Sequence, residues 1–392
     1  MKDLIRVVLV DPGEESRGGI QRLLGTLGSV WIAEVFGDYK VAAGTVPELK
    51  PDLCLVNLDA DPAGGIELIA TLCLANPEAV VLPASATADG TLILKAIRAG
   101  AREFLALPAD AGELNETIGR LFRGRENAPV SALDGPQTIA VTGAAGGVGT
   151  TSLAVNLATS LAASREAETI LIDFDLMFGS VDACLDIIPD HTLYDVLQNL
   201  DRLDLTLLKR SMTRHGSGLY VLPHPVALED AAKVDPESLR RLLGVLKASF
   251  PTLVIDTSKG LQTSDFVAFE MADAILVVVV LDLNCLRNTA RLLNLFRQFE
   301  GMVDRVKLVV NRAGAADSEI SIKKAEETLK LPIAWQIPFA AKPFQNARIR
   351  GVPLSDVAAG SRPHQAILEI ARALRPDPAA ERPKKGLFAA FF

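Results

Sequence analysis

Residues Gly143 to Ser152 read GAAGGVGTTS, a run built to hold phosphate. Glycines let successive backbone N–H groups close around phosphate oxygens, and a helix that starts at the end of the run adds a favourable field. The usual pattern, G-x-x-x-x-G-K-[ST], puts a lysine after the last glycine. Here Thr150 follows Gly149, and Ala144 stands at the first glycine position. The cradle Gly146, Gly147, Val148, Gly149, Thr150, Thr151 and Ser152 remains, and its fixed positive charge has gone. Phosphoryl transfer is catalysed mainly by charge and positioning, so losing such a cation costs on the order of 10³-fold in rate. The run predicts ATP or ADP binding with weak hydrolysis or none.

Two further segments put carboxylates where a nucleotide-bound Mg²⁺ needs them. Ile170-Leu171-Ile172-Asp173-Phe174-Asp175 ends a strand-like run with two acids, and Leu253-Val254-Ile255-Asp256-Thr257 ends another with one. Ligands of parallel sheets bind at carboxyl strand ends, so all three acids can meet in one crevice. Mg²⁺ takes oxygen ligands and keeps several waters. Thr151 would supply a hydroxyl, with Asp173 or Asp256 as outer carboxylate. The plainer alternative for each acid is the capping of its own turn. Lys259 and Arg287 are nearby cations that either partly replace the missing lysine or sit solvated on the surface.

These residues need strands and helices to position them. Thr138–Thr142 is β-branched and apolar, and Leu153, Ala154, Leu157, Ala158 and Leu161 recur at helical spacing, so the loop joins a buried strand to a helix. Further strands are predicted at Thr169–Ile172, Leu219–Leu222, Leu253–Ile255, Ala274–Val280 and Val306–Val310. The apolar run Ala274–Leu281 is too short to span a bilayer and reads as a central strand. An earlier α/β unit carries strand candidates at Ile5–Val10, Val30–Val35, Leu53–Val56, Val80–Leu82 and Glu103–Ala106. The expected fold is α/β, with two doubly wound parallel-sheet domains. The boundaries are 1–123 and 138–374, with a polar Pro/Gly linker at 124–137 and a tail at 375–392.

Composition excludes several classes. The 392-residue chain is 49% apolar, enough for more than one core. Its net charge of −8 argues against non-specific nucleic-acid binding, and no specific nucleic acid is expected. Cys54, Cys73, Cys184 and Cys285 are scattered with no C-x-x-C pair, which fits buried thiols in a reducing cytosol. The opening MKDLIRVVLVDPG reads as a first strand, not a signal peptide. The closing Lys384-Lys385-Gly386-Leu387-Phe388-Ala389-Ala390-Phe391-Phe392 pairs cations with aromatics. It has the chemistry of a membrane-surface anchor. Docking on its own domain or on a partner is the alternative.

With the loop, the two acidic strand ends, Val310-Asn311-Arg312, Pro338 and Gly351-Val352-Pro353, the stretch Thr138–Leu374 resembles the MinD/ParA class of deviant Walker ATPases. The resemblance implies that Asn311 contacts adenine, beside Arg312, that the segment after Pro338 closes over the base, and that Asp175 positions the attacking water. It also implies a homodimer and association with a membrane. The class carries a signature lysine where this chain has Ala145. Residues 4–123 resemble a response-regulator receiver through Val8-Leu9-Val10-Asp11, Pro51–Asn57, Ala96–Ala101 and Glu103–Pro108. A working receiver needs an acidic pair, an acceptor Asp and a Lys. Here Asp11 survives, the acceptor position is Asn57, and the lysine position is Leu107. A carboxamide is a poor nucleophile, so phosphorylation is not expected, Asp59 lying past the strand end. The pairing of the two domains resembles the CpaE/TadZ group of tight-adherence (Flp) type IV pilus systems. That implies a nucleotide-binding localisation factor that meets pilus assembly machinery, cytoplasmic and peripheral at the inner face of the membrane, at a cell pole. The alternative is an active MinD-type ATPase cycling on and off the membrane.

Overall fold

The computed structural model describes residues 4–87, 89–122, 138–164, 168–200, 203–316, 318 and 320–375. The expected linker 124–137 and the run Lys384–Phe392 lie outside the described residues. The chain divides into two compact units, one drawn from 1–129 with 201–208 and the other from 130–200 with 209–392.

The first unit holds β1 (Ile5–Val10), β2 (Val30–Phe36), β3 (Leu53–Asn57), β4 (Val80–Ser85) and β5 (Leu105–Ala106) in the order β2-β1-β3-β4-β5, all parallel. Helices cover both faces, so alternate residues of each strand enter different cores. Val7, Leu9, Leu53 and Leu55 pack with Ile20 and Leu24 of the helix Glu14–Gly25 and with Leu114 and Ile118 of Ala111–Phe122. Val8, Val10, Cys54 and Val56 pack with Ala42 and Val46 of Tyr39–Leu49 and with Leu68 and Leu72 of Pro62–Ala75. The expected strand from Glu103 shrinks to Leu105–Ala106.

The second unit holds β6 (Thr138–Gly143), β7 (Thr169–Asp173), β8 (Thr213–Arg214), β9 (Tyr220–Leu222), β10 (Thr252–Asp256), β11 (Ala274–Val279), β12 (Val306–Ala313) and β13 (Ile333–Pro338). Their order is β13-β12-β11-β6-β10-β7-β9-β8. Only β8, against β9, runs antiparallel among the described strands. Central β11 is buried at every position, which explains its unbroken apolar run. Two strands lay outside the sequence reading. β8 has two residues, and β13 is a half-exposed edge strand whose alternate residues face out and which ends at Pro338. β12 runs past Val310 because Ala313 still pairs with Pro338.

This order positions the site. β6 lies between β10 and β11, so the chain leaves its carboxyl end at the point where strand order reverses. Ligands of open α/β sheets bind at such points. The helix Thr150–Ser164 follows and buries Leu153, Leu157 and Leu161. Each fully buried leucine stabilises by roughly 1.5–3 kcal/mol, which holds the loop before the helix against the sheet. Leu354 N–H donates to Asn156 Oδ1 at 2.7 Å and ties a later segment to the same helix.

Candidate functional site

The glycine loop is closed from behind by the end of β12. Asn311 Nδ2 donates to the Val148 carbonyl at 2.7 Å, and an Arg312 guanidinium N–H donates to the Gly147 carbonyl at 2.6 Å. Gly149 sits at φ +103°, and a Cβ there would lie 2.3 Å from Asn311 Nδ2. Only glycine allows that conformation and that approach. With these carbonyls held, the N–H groups of the helix that begins at Thr150 remain the loop's free polarity. The asparagine implied to meet adenine is thus engaged with the loop itself.

Asp173 and Asp256 end neighbouring strands in register, and Asp175 follows two residues past the end of β7. Asp173 is fully buried. It accepts from the Asp175 N–H and the Val181 N–H, both at 3.1 Å. His224 Nδ1 lies 3.3 Å from Asp173 Oδ2. That contact is longer than the other bonds Asp173 accepts, and it is an ion pair when His224 is protonated. Contact with Asp173 is the largest influence on His224 and raises its pKa, against desolvation. Gly179 makes room for this pair, because a Cβ there would lie 2.3 Å from Asp173 Oδ2 and 2.5 Å from His224 Nδ1. Asp256 is buried, and its Oδ1 has no hydrogen-bond partner. Burial, then the Asp173 charge, pushes its pKa well up, while the Thr151 hydroxyl pulls it down. Asp175 is also raised by burial, and it accepts from the Phe178 N–H at 3.2 Å.

A cleft of about 500 Å³ opens above these groups. Of the residues predicted from sequence, Gly147, Gly149, Thr150, Thr151, Ser152, Asn311, Arg312 and Pro338 line it. Gly146 and Val148 do not, Val148 being buried under the loop. Asp173, Asp175 and Asp256 lie outside the lining, and Asp256 is reached through Thr151. Ala145 lines the cleft, so a methyl occupies a position where the resembled class has a cation. Lys259 lines it as well, and Arg287 does not. The sequence reading put the segment after Pro338 over the base without naming its residues, and Phe339, Phe344 and Arg348 line the cleft there, from β13's end and the helix Ala341–Arg350. It missed His224, an isolated histidine with no motif around it.

The geometry suits a magnesium–nucleotide. A buried, unpartnered Asp256 oxygen beside the Thr151 hydroxyl is what an outer-shell carboxylate of a hydrated Mg²⁺ looks like before the ion. The open cradle above has the polarity for phosphate, and Phe339 and Phe344 give apolar surface for a flat ring.

In the first unit the corresponding strand ends are closed by their own hydrogen bonds. Asn57 Nδ2 donates to Asp11 Oδ2 at 2.9 Å, and the Gly13 N–H donates to Asp11 Oδ1 at 2.8 Å. The Tyr39 hydroxyl donates to the Asn57 carbonyl, and burial pushes that phenol up to about 12. Asp59 accepts from the Ser85 hydroxyl at 2.5 Å and from the Ala86 N–H at 2.9 Å. Leu107 turns into the core. No charge is left at its position to hold a phosphoryl group.

Known proteins share both halves. Residues 7–119 match the response regulator receiver domain family, and residues 136–308 match an AAA domain family. An uncharacterized ATP-binding protein of Methanocaldococcus jannaschii is 27% identical over 237 residues, 60% of this chain and 86% of that protein. The septum site-determining protein MinD of Helicobacter pylori is 28% identical over 212 residues, 51% of this chain and 77% of that protein. The crystal structure of a ParA family ATPase from Chlorobium tepidum superposes with a TM-score of 0.58 at 25% identity, covering 61% of this chain and 98% of that one. MinD from Pyrococcus horikoshii, complexed with Mg-ADP, shares the fold with a TM-score of 0.53 at 22% identity over 62% of this chain and 97% of its own. The chain is therefore a receiver-like domain followed by a MinD/ParA-like P-loop NTPase domain. Among the described residues no helix is long and apolar enough to cross a membrane.

Proposed function

We propose that the chain is a nucleotide-binding localisation factor that binds ATP or ADP with Mg²⁺ in the cleft and turns it over slowly or not at all. The observation that carries this reading is a formed glycine cradle, its carbonyls held by Asn311 and Arg312, with Ala145 and Thr150 at the two lysine positions. Gly146–Ser152 would hold the phosphates. Thr151, Asp173 and Asp256 would hold the hydrated metal, which neutralises phosphate charge when bound. Asn311 and Pro338 would border the base, with Arg312 beside them on the glycine loop. Asp175 would orient water if hydrolysis occurs. Thr150 donates one hydrogen bond and adds no charge to a transferring phosphoryl group, so binding outlasts chemistry.

The relatives support a positioning role, the Helicobacter pylori protein being a septum site-determining one. The finer reading is that of the CpaE/TadZ group. The chain would place tight-adherence pilus machinery at the inner face of the membrane, at a pole, as a homodimer, with the first domain as a docking surface. The closed Asp11–Asn57 pair supports docking over phosphate signalling. The run Lys384–Phe392 would hold the membrane, and its deletion should lower co-sedimentation with anionic liposomes.

An ATPase that cycles on and off the membrane is the second reading. It is favoured by one observation, a cation, Lys259, lining the cleft with the glycine loop. Calorimetry with Mg-ATP and phosphate release separate the two readings. Saturable binding with release near background supports the first.

A further inference from the structure

The cleft has a charge pattern that the whole chain does not share. The net charge is −8, yet the cleft lining holds Lys259, Arg312 and Arg348 and no carboxylate among the described residues. These cations come from three different elements: the turn after β10, the end of β12, and the helix Ala341–Arg350. None belongs to the glycine loop.

Two of them are held in place. Arg312 adopts φ +57°, a left-handed conformation rare for a long side chain, and its guanidinium is fixed on the Gly147 carbonyl. The turn carrying Lys259 is wound around the buried Asp265. That carboxylate accepts from the Ser258 N–H at 2.8 Å, the Ser258 hydroxyl at 2.6 Å and the Gln262 N–H at 2.7 Å. The Gly260 N–H in turn donates to the Ser258 hydroxyl at 3.2 Å. Lys259 therefore leaves a fixed backbone and lines the cleft with the glycine loop. Arg348 lies at the first turn of the loop's helix, beside Ser152 and Cys184.

We propose that the positive charge missing from the glycine loop is supplied from outside it, by Lys259, Arg312 and Arg348 acting together on the phosphates of the bound nucleotide. This rests on the reading of the cleft as a nucleotide site. A loop lysine follows a transferring phosphate through the reaction, because it is part of the cradle. Cations anchored on separate elements hold the ground-state anion without being placed on the charge that develops in transfer. The arrangement favours retention of nucleotide over its turnover.

The test is calorimetric titration of the full chain with Mg-ATP, Mg-ADP and AMP. The variants are Lys259→Met, Arg312→Asn, Arg348→Gln and the triple, with thermal melts to check folding. Asparagine is chosen at 312 because it tolerates left-handed backbone. Each single variant should weaken Mg-ATP on the order of tenfold, as for loss of one charged hydrogen bond. The triple should weaken it by about a hundredfold or more, and AMP much less in every case. The conservative Lys259→Arg and Arg312→Lys should recover part of the loss. Raising salt should weaken the wild type more than the triple. If the triple binds Mg-ATP within about twofold of wild type, the proposal is wrong and the nucleotide reading stands. A loss equal for ATP, ADP and AMP also overturns it, since it shows a structural effect on the loop. If wild type binds none of the three, the nucleotide reading itself fails, and the proposal with it.

Discussion

At Gly149 one missing methyl decides whether the loop exists. Its φ of +103° and the 2.3 Å separation from Asn311 Nδ2 leave no room for a side chain. Gly149→Ala should cost about 1–3 kcal/mol of stability through backbone strain, and it should remove nucleotide binding by driving Asn311 off the Val148 carbonyl. Urea melts and calorimetry check both. His224 gives a pH prediction. Contact with the Asp173 carboxylate raises its pKa in the folded protein. The histidine therefore binds its proton more tightly folded than unfolded. Its stabilisation is fully present below the unfolded value, about 6.5, and is lost as pH rises through the higher folded value. Melting temperature of the nucleotide-free protein should fall over that window, and His224→Gln should flatten the fall. An unchanged slope would show that the ion pair contributes nothing. Of the residues around Asp173, the acids were legible in the sequence, because a strand ending in Asp is a local pattern. His224 and Arg348 were not, because each enters from a distant loop or helix and meets the site only in the folded sheet.

At the scale of elements, periodicity and strand-end chemistry went far. The strands β6, β7, β10 and β11 are buried at every position, because helices cover both faces, and their apolar stretches are easy to read. Edge strands have one face in water and less pattern, so β13 and the two-residue β8 were missed. β13 leads into Phe339 and the helix with Phe344 and Arg348, which form the far wall of the cleft. In the first domain, the strand ends predicted to be inert are knitted together by Asn57 and Asp11. Asn57→Asp would set a second carboxylate against Asp11 and lose that hydrogen bond. It should destabilise the domain by about 1–3 kcal/mol in urea melts. Wild type incubated with acetyl phosphate or beryllofluoride should show no stoichiometric adduct by mass and spectra. An adduct at Asp11 or Asp59 would contradict the closed-site account.

For the whole molecule, two domains that have each lost charged groups of their resembled class are joined in one chain. Without a lysine at position 145 to reach a partner's phosphates, a dimer of the second domain must rest on apolar and neutral polar contacts. Phe339 and Phe178, 51% and 73% exposed, offer such surface. Nucleotide should then shift the dimer equilibrium only weakly. Sedimentation should give similar monomer–dimer ratios with and without Mg-ATP. A clean monomer that turns fully dimeric on adding Mg-ATP would contradict this, because such a shift needs about 5.5 kcal/mol of differential binding. The most direct test of the central claim is a paired measurement on the full chain, Mg-ATP binding by calorimetry and phosphate release under the same conditions. Saturable binding is expected with release barely above background and unchanged by Asp175→Ala. Robust release abolished by Asp175→Ala would show an active ATPase and contradict the account.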